Sequence, residues 1–87
     1  MKHKIFAVYD DKVEAFLQPF FLPTVGAAMR AMMDCVNDRG HAFHAHAEDY
    51  ALYQLGEFDD SNAVFALDSP PKSLGLLIEF KKTEMTP

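Results

Sequence analysis

Hydrophobic and polar positions run along this chain with two periods, and the switch between them marks the predicted elements. Lys4 to Tyr9, KIFAVY, is β-branched and aromatic with no breaker, so it predicts a strand. Ile5 and Ala7 share one side of it, Phe6 and Val8 the other. Both sides are apolar, as in a central strand with both faces occupied. After a turn at Asp10-Asp11-Lys12, Val13 to Phe20 alternates as a second strand. Pro19 has no N–H to give a ladder, so this strand is expected at an edge or to end there. From Val25 to Asp38 the period becomes helical: Val25, Ala28, Met29, Met32 and Val36 make one stripe, Thr24 is a natural N-cap, and Gly40 is a stop signal. Gly26 fits either close packing or the first turn. The stripe is expected to lie on Ile5, Ala7 and Leu55.

His41 to Asp49 reads as a loop or a single helical turn. Tyr50 to Phe58 alternates again as a third strand, with Ala51, Tyr53 and Leu55 opposed to Leu52, Gln54 and Gly56. Asp59 to Asn62 is a hairpin turn, and Ala63 to Leu67 a fourth strand. Asp68-Ser69-Pro70-Pro71 is read as a break. Leu74 to Phe80 is ambiguous: Pro71 and Ser73 favour a helix start, Ile78 and Phe80 suit a strand, and helix is preferred. The fold class that results is α+β. An antiparallel sheet of three to four strands packs on one main helix, in the order β-β-α-β-β plus a short C-terminal helix or strand. One domain covers 1–80, and 81–87 form a polar tail.

Composition sharpens this picture. Eighty-seven residues support only a modest core, yet there are eight Phe and five Met. Phe16, Phe20, Phe21 and Leu22 put more apolar area in one stretch than an edge strand needs, which predicts a subunit contact and a homo-oligomer. A single cysteine excludes an internal disulfide and any multi-cysteine zinc site, and Cys35 reads as a small core hydrophobe. No apolar run approaches the ~20 residues that span a bilayer, and no signal peptide is seen, so no membrane is expected as a partner. The formal charge of -5 opposes bulk attraction to nucleic acid. The lysines nevertheless gather at the two ends of the chain, and the acids at Asp10-Asp11, Glu48-Asp49 and Glu57 to Asp60.

Candidate chemistry is sparse. His41, His44 and His46 fall within six residues, but no single regular element presents all three together. They are weak candidates for zinc, which needs three or four convergent ligands, and neither metal nor other cofactor is expected. Glu48 and Asp49 are adjacent and diverge, whereas acid–base catalysis needs convergent carboxylates. There is no phosphate loop or nucleophile elbow, so no enzyme is expected. Phe6, Tyr9, Tyr53 and Phe65 lie on predicted strands and suit base stacking at ~1–3 kcal/mol each if an open sheet face presents them; for the two Phe a place in the core is the better reading, which leaves Tyr9 and Tyr53 as the candidates. Lys2, Lys4, Lys81 and Lys82 would then have to meet beside them on that face.

Three stretches together carry a resemblance: MKHKIFAVYD at the start, PFFLPTVGAAMRAMMDCVND in the middle, and HAEDYALYQLGEFDD after it. From Met1 to about Phe80 the chain resembles the small nonstructural protein of gokushovirus-type microviruses, the Microviridae, which are bacteriophages with single-stranded DNA. The resemblance implies a part in DNA replication or genome handling in the host cytoplasm, with single-stranded DNA as the partner. The residues alone offer an alternative, a homo-oligomeric interaction module that binds a phage or host replication protein and never touches DNA.

Overall fold

The computed structural model describes residues 1–81. It is α+β: one main helix packs on a curled antiparallel sheet of five strands. The organising strand is β1, Lys2–Asp10, because both of its edges are paired. On one side it pairs with β2, Ala15–Phe16, and β3, Phe20–Leu22; on the other with β4, Tyr50–Asp59. Beyond β4 lies β5, Val64–Leu76. The second strand expected over Val13 to Phe20 is therefore two short pieces on the same edge of β1. Pro19 lies between them, where its missing N–H does no harm.

Helix α1, Val25–Val36, starts where expected: Thr24 Oγ1 accepts from Ala27 N–H at 3.0 Å. It stops two residues short of Asp38, at Asn37, whose side-chain amide donates to the Met33 and Phe80 carbonyls. Ala28, Met32 and Val36 are buried and Met29 is half-buried. Ala28, Met32 and Val36 pack not on Ile5, Ala7 and Leu55 but on the opposite side of the sheet, in one cluster with Phe6, Val8, Leu52 and Leu77. Phe6 and Val8 were always the alternative face of that strand, and both faces being apolar made the choice undecidable from the pattern alone.

A bulge in β4 rearranges what the alternation predicts. Ile5 pairs with Gly56 and Phe6 with Gln54, so Leu55 is an extra residue and the pattern changes sides there. Gly56 and Phe58 thereby join Tyr53 on one face, whereas strict alternation would oppose Tyr53 to Gly56.

The four-residue break at Asp68 to Pro71 also turns out differently. These residues step out of register with β4, but the strand resumes, with Lys72 opposite Gln54 and Ser73 opposite Tyr53. An outermost strand tolerates prolines because one side of it has no ladder. Inside this step, Gln54 Nε2 donates to Asp68 Oδ2 at 3.0 Å, which satisfies a buried amide. The segment Leu74 to Phe80 is both of the expected types in turn: strand to Leu76, then one 3-10 turn at Leu77–Phe80. Glu79 Oε2 closes that turn by accepting from Leu76 N–H at 2.6 Å.

The candidate functional site is the open face of the sheet

Among the described residues, all helical elements lie on the Phe6 and Val8 side, and none covers the other face of the sheet. Cross-strand partners share a face, so the register defines what that face carries. Tyr9 is opposite Phe16, Ile5 opposite Phe21, Ala7 opposite Tyr53, His3 opposite Phe58, and Phe58 opposite Phe65. The rings form two clusters. Tyr9, Phe16 and Tyr53 meet edge-on at centroid distances of 5.0, 5.3 and 6.4 Å. Phe58 meets Phe65 at 4.7 Å, Phe21 at 6.1 Å and His3 at 6.5 Å, and the last two line a shallow depression with it. Such pairs contribute ~0.5–1.5 kcal/mol beyond area burial, so the rings are held in place. They are nonetheless wet: Phe16 is 44% exposed, Phe21 47% and Phe65 56%.

The sequence groups its candidates differently. Phe16, Phe20, Phe21 and Leu22 do not act as one surface. Phe16 and Phe21 are on the open face, while Phe20 and Leu22 point into the core beside Phe6. Tyr9 and Tyr53 do come together. Lys2 and Lys4 do not join them: Lys4 alternates to the helix side and its Nζ lies 3.0 Å from Glu57 Oε1, and Lys2 is opposite Asp59. Lys81 Nζ instead donates to the His44 carbonyl at 3.4 Å. Lys82 lies outside the described residues. Phe58 was missed as a surface residue, and Phe65, weighed for stacking but expected in the core, is on the surface; the bulge puts both on the face of Tyr53.

Carboxylates hold the end of the hairpin at β4 and β5. Asp60 accepts from the Met1 ammonium at 2.7 Å and from His3 Nε2–H at 2.8 Å. These two bonds hold its carboxyl below the usual carboxylate range, and the same contact raises the ammonium. The Ser61 hydroxyl and amide do the same for Asp59.

Two of the three clustered histidines have separate structural roles, and the third is exposed. His41 Nδ1 accepts from Phe43 N–H at 3.0 Å, which caps the short helix α2, Ala42–Ala45. His44 Nδ1–H donates to the Val36 carbonyl at 2.8 Å. His46 is exposed, beside Asp10, Lys12, Asp49 and Tyr50 at a shallow cleft. Among the described residues, no group of three or more His, Cys, Asp or Glu side chains is placed to hold a metal ion. Cys35 is half-buried, and burial together with Asp34 and Asp38 pushes its thiol up, away from the reactive thiolate. No helix among the described residues is long and apolar enough to cross a membrane.

Comparison with known proteins adds one result to this geometry. No curated protein and no solved structure matches the chain. The family model described as Phage ORF5 protein matches residues 3–80, which takes in every strand and helix above but for the first residue of β1. The chain belongs to the Phage ORF5 protein family, and is a bacteriophage protein.

Proposed function

We propose that this phage protein is a non-catalytic binding module of the host cytoplasm that holds a basic protein, of the phage or of its host, against the open aromatic face. One observation carries the reading: Phe16, Phe21 and Phe65 are exposed together on a face whose rings are otherwise braced against one another. With ~150–250 Å² per aromatic side chain, these three offer roughly 300 Å² of wet apolar surface, the scale of functional patches on monomers. The charges choose the kind of partner. Asp10, Asp11 and Glu14 stand at one end of β1, Asp59 and Asp60 at the other, and the net charge is -5. An apolar anchor in an acidic surround fits a partner with a cationic rim.

Single-stranded DNA is the second reading, favoured by the Tyr9, Phe16 and Tyr53 rings, on which bases would stack. Phosphates need cations beside the rings, and Lys2 and Lys4 are on the reverse side, opposite acids. In a pull-down from infected cells the parent protein is expected to retain a basic protein that salt weakens, and Phe16→Ser with Phe21→Ser to lose it at least tenfold while keeping its circular dichroism. A titration with single-stranded DNA at 50 and 200 mM salt is expected to show no saturable binding. Saturable, salt-sensitive DNA binding that Tyr53→Ala weakens would establish the second reading instead.

A further inference from the structure

The two edges of the sheet are built differently. On the β2 and β3 side, pairing is limited to stretches of two and three residues with Pro19 between them. On the other side, β5 is the last strand in the order β2-β1-β4-β5, and among the described residues no strand pairs with its outer edge. Its second half follows Pro70 and Pro71, carries Lys72, and runs into the 3-10 turn Leu77–Phe80. Its first half has no such protection. From Ser61 to Leu67 there is no charge, no proline and no glycine. Val64 is 54% exposed, Phe65 56% and Leu67 70%. A β-prone, uncharged, Pro-free edge is what proteins ordinarily blunt with a lysine, a proline or a cover, because its free backbone groups template another strand.

We propose that the outer edge of Val64–Leu67 pairs antiparallel with the same segment of a second copy, about a two-fold axis normal to the sheet. Self-pairing is the occupancy that this segment fits. Opposed residues in an antiparallel pair share a face, so the axis must fall on a residue rather than between two. On Phe65, only Val64 to Ala66 could pair, because Leu67 and Asp68 fall opposite Ala63 and Asn62, turn residues of which Ala63 has a φ of +59°. On Ala66, it sets Phe65 against Leu67 and Val64 against Asp68, all of them strand residues. The Ala66 register is therefore the one proposed: it brings no two carboxylates together and buries Phe65 and Leu67 against each other. The flanks confine the pairing: Asp59 and Asp60 precede the segment, and Asp68, Pro70 and Pro71 follow it. With the opposite edge short and broken by Pro19, each copy has one edge to offer, so the assembly closes at two and does not grow into a fibre. Both open faces end up on the same side of one ten-stranded sheet, with their Phe58 and Phe65 clusters adjacent. The backbone pairing uses an edge; it takes Phe65 and Leu67 from the margin of the open face and leaves Phe16 and Phe21 free on the far side of β1.

Sedimentation of the unaltered protein from 1 to 100 µM tests it. The expected result is a dimer of twice the 9.8 kDa chain, with amides of Val64–Leu67 exchanging more slowly as concentration rises. Leu67→Lys adds an edge charge at an exposed position and is expected to weaken the dimer at least tenfold with an unchanged circular dichroism spectrum. Phe21→Lys, on the open face but on the far side of β1, is expected to leave the dimer intact. A monomer at 100 µM, assembly beyond a dimer, or exchange at Val64–Leu67 that ignores concentration would overturn the proposal. A dimer broken by Phe21→Lys and not by Leu67→Lys would overturn it too, showing that the copies meet face to face.

Discussion

Gly26 is the second residue of α1 and exposed, and a methyl group added there would come no nearer than 3.9 Å, to Thr24 Oγ1. Of the two roles open to it from its place in the helical pattern, the first turn is the one realised, and nothing packs closely against it. Alanine at an exposed helical position with compatible backbone stabilises by ~0.4–1 kcal/mol, mainly by restricting the unfolded chain. Gly26→Ala is therefore expected to raise the melting temperature by a few degrees, read by thermal circular dichroism. The neighbouring cap shows why some single residues are legible beforehand. Thr24 acts through its own hydroxyl on an amide three residues away, so its role needs only local sequence. Lys4 is the opposite case. Its partner Glu57 is far along the chain, and which side of the sheet it takes depends on where the helix packs.

Gly56 decides how β4 crosses its neighbours. It has a φ of +153°, a backbone conformation open mainly to glycine. An added Cβ would collide with the Ala66 carbonyl oxygen and lie 2.8 Å from Leu67 Cα, both backbone atoms of β5 that cannot turn aside. Gly56→Ala therefore combines backbone strain of ~1–2 kcal/mol with a clash against the adjacent strand. A fall in melting temperature of more than 10 °C is expected, and chemical denaturation should show the loss as a lower midpoint. At this scale the helix and the strands at Lys4 to Tyr9 and Tyr50 to Phe58 were legible, because each is a long periodic run. The bulge was not, since Leu55 fits a period of two as well as its neighbours do, and only an isolated glycine after it hints at an irregularity. Everything downstream of the bulge therefore changed face, and with it Phe58 and Phe65 entered the candidate site. Likewise Pro70 and Pro71 read as an end of pairing, but an outermost strand can carry them and continue.

Across the whole molecule, one face of the sheet is sealed by the helices, and on the other Ile5 and Ala7 are buried while Phe16, Phe21 and Phe65 are exposed, so the sequence shows apolar residues for both. A core residue and a surface residue of the same strand pair therefore look alike in a hydropathy pattern, which is why the pattern sets the helix on the wrong side and gathers Phe16, Phe20, Phe21 and Leu22 into one surface although they divide between the two faces. Stability separates them. Leu52 is fully buried beneath α1, with Met32 and Val36 in the same cluster. Truncation to alanine there is expected to cost ~2–5 kcal/mol, because the lost contacts leave a cavity the helix cannot close over. Phe65 is more than half exposed and is braced on one side by Phe58. Phe65→Ser should cost less, roughly 1–2 kcal/mol in the isolated chain, from that ring pair and the covered part of the side chain. Chemical denaturation at a protein concentration low enough to hold both variants monomeric gives the comparison. Leu52→Ala should move the midpoint strongly and Phe65→Ser less. If Phe65→Ser proved as costly as Leu52→Ala, the open face would be a second core and not a surface kept for a partner.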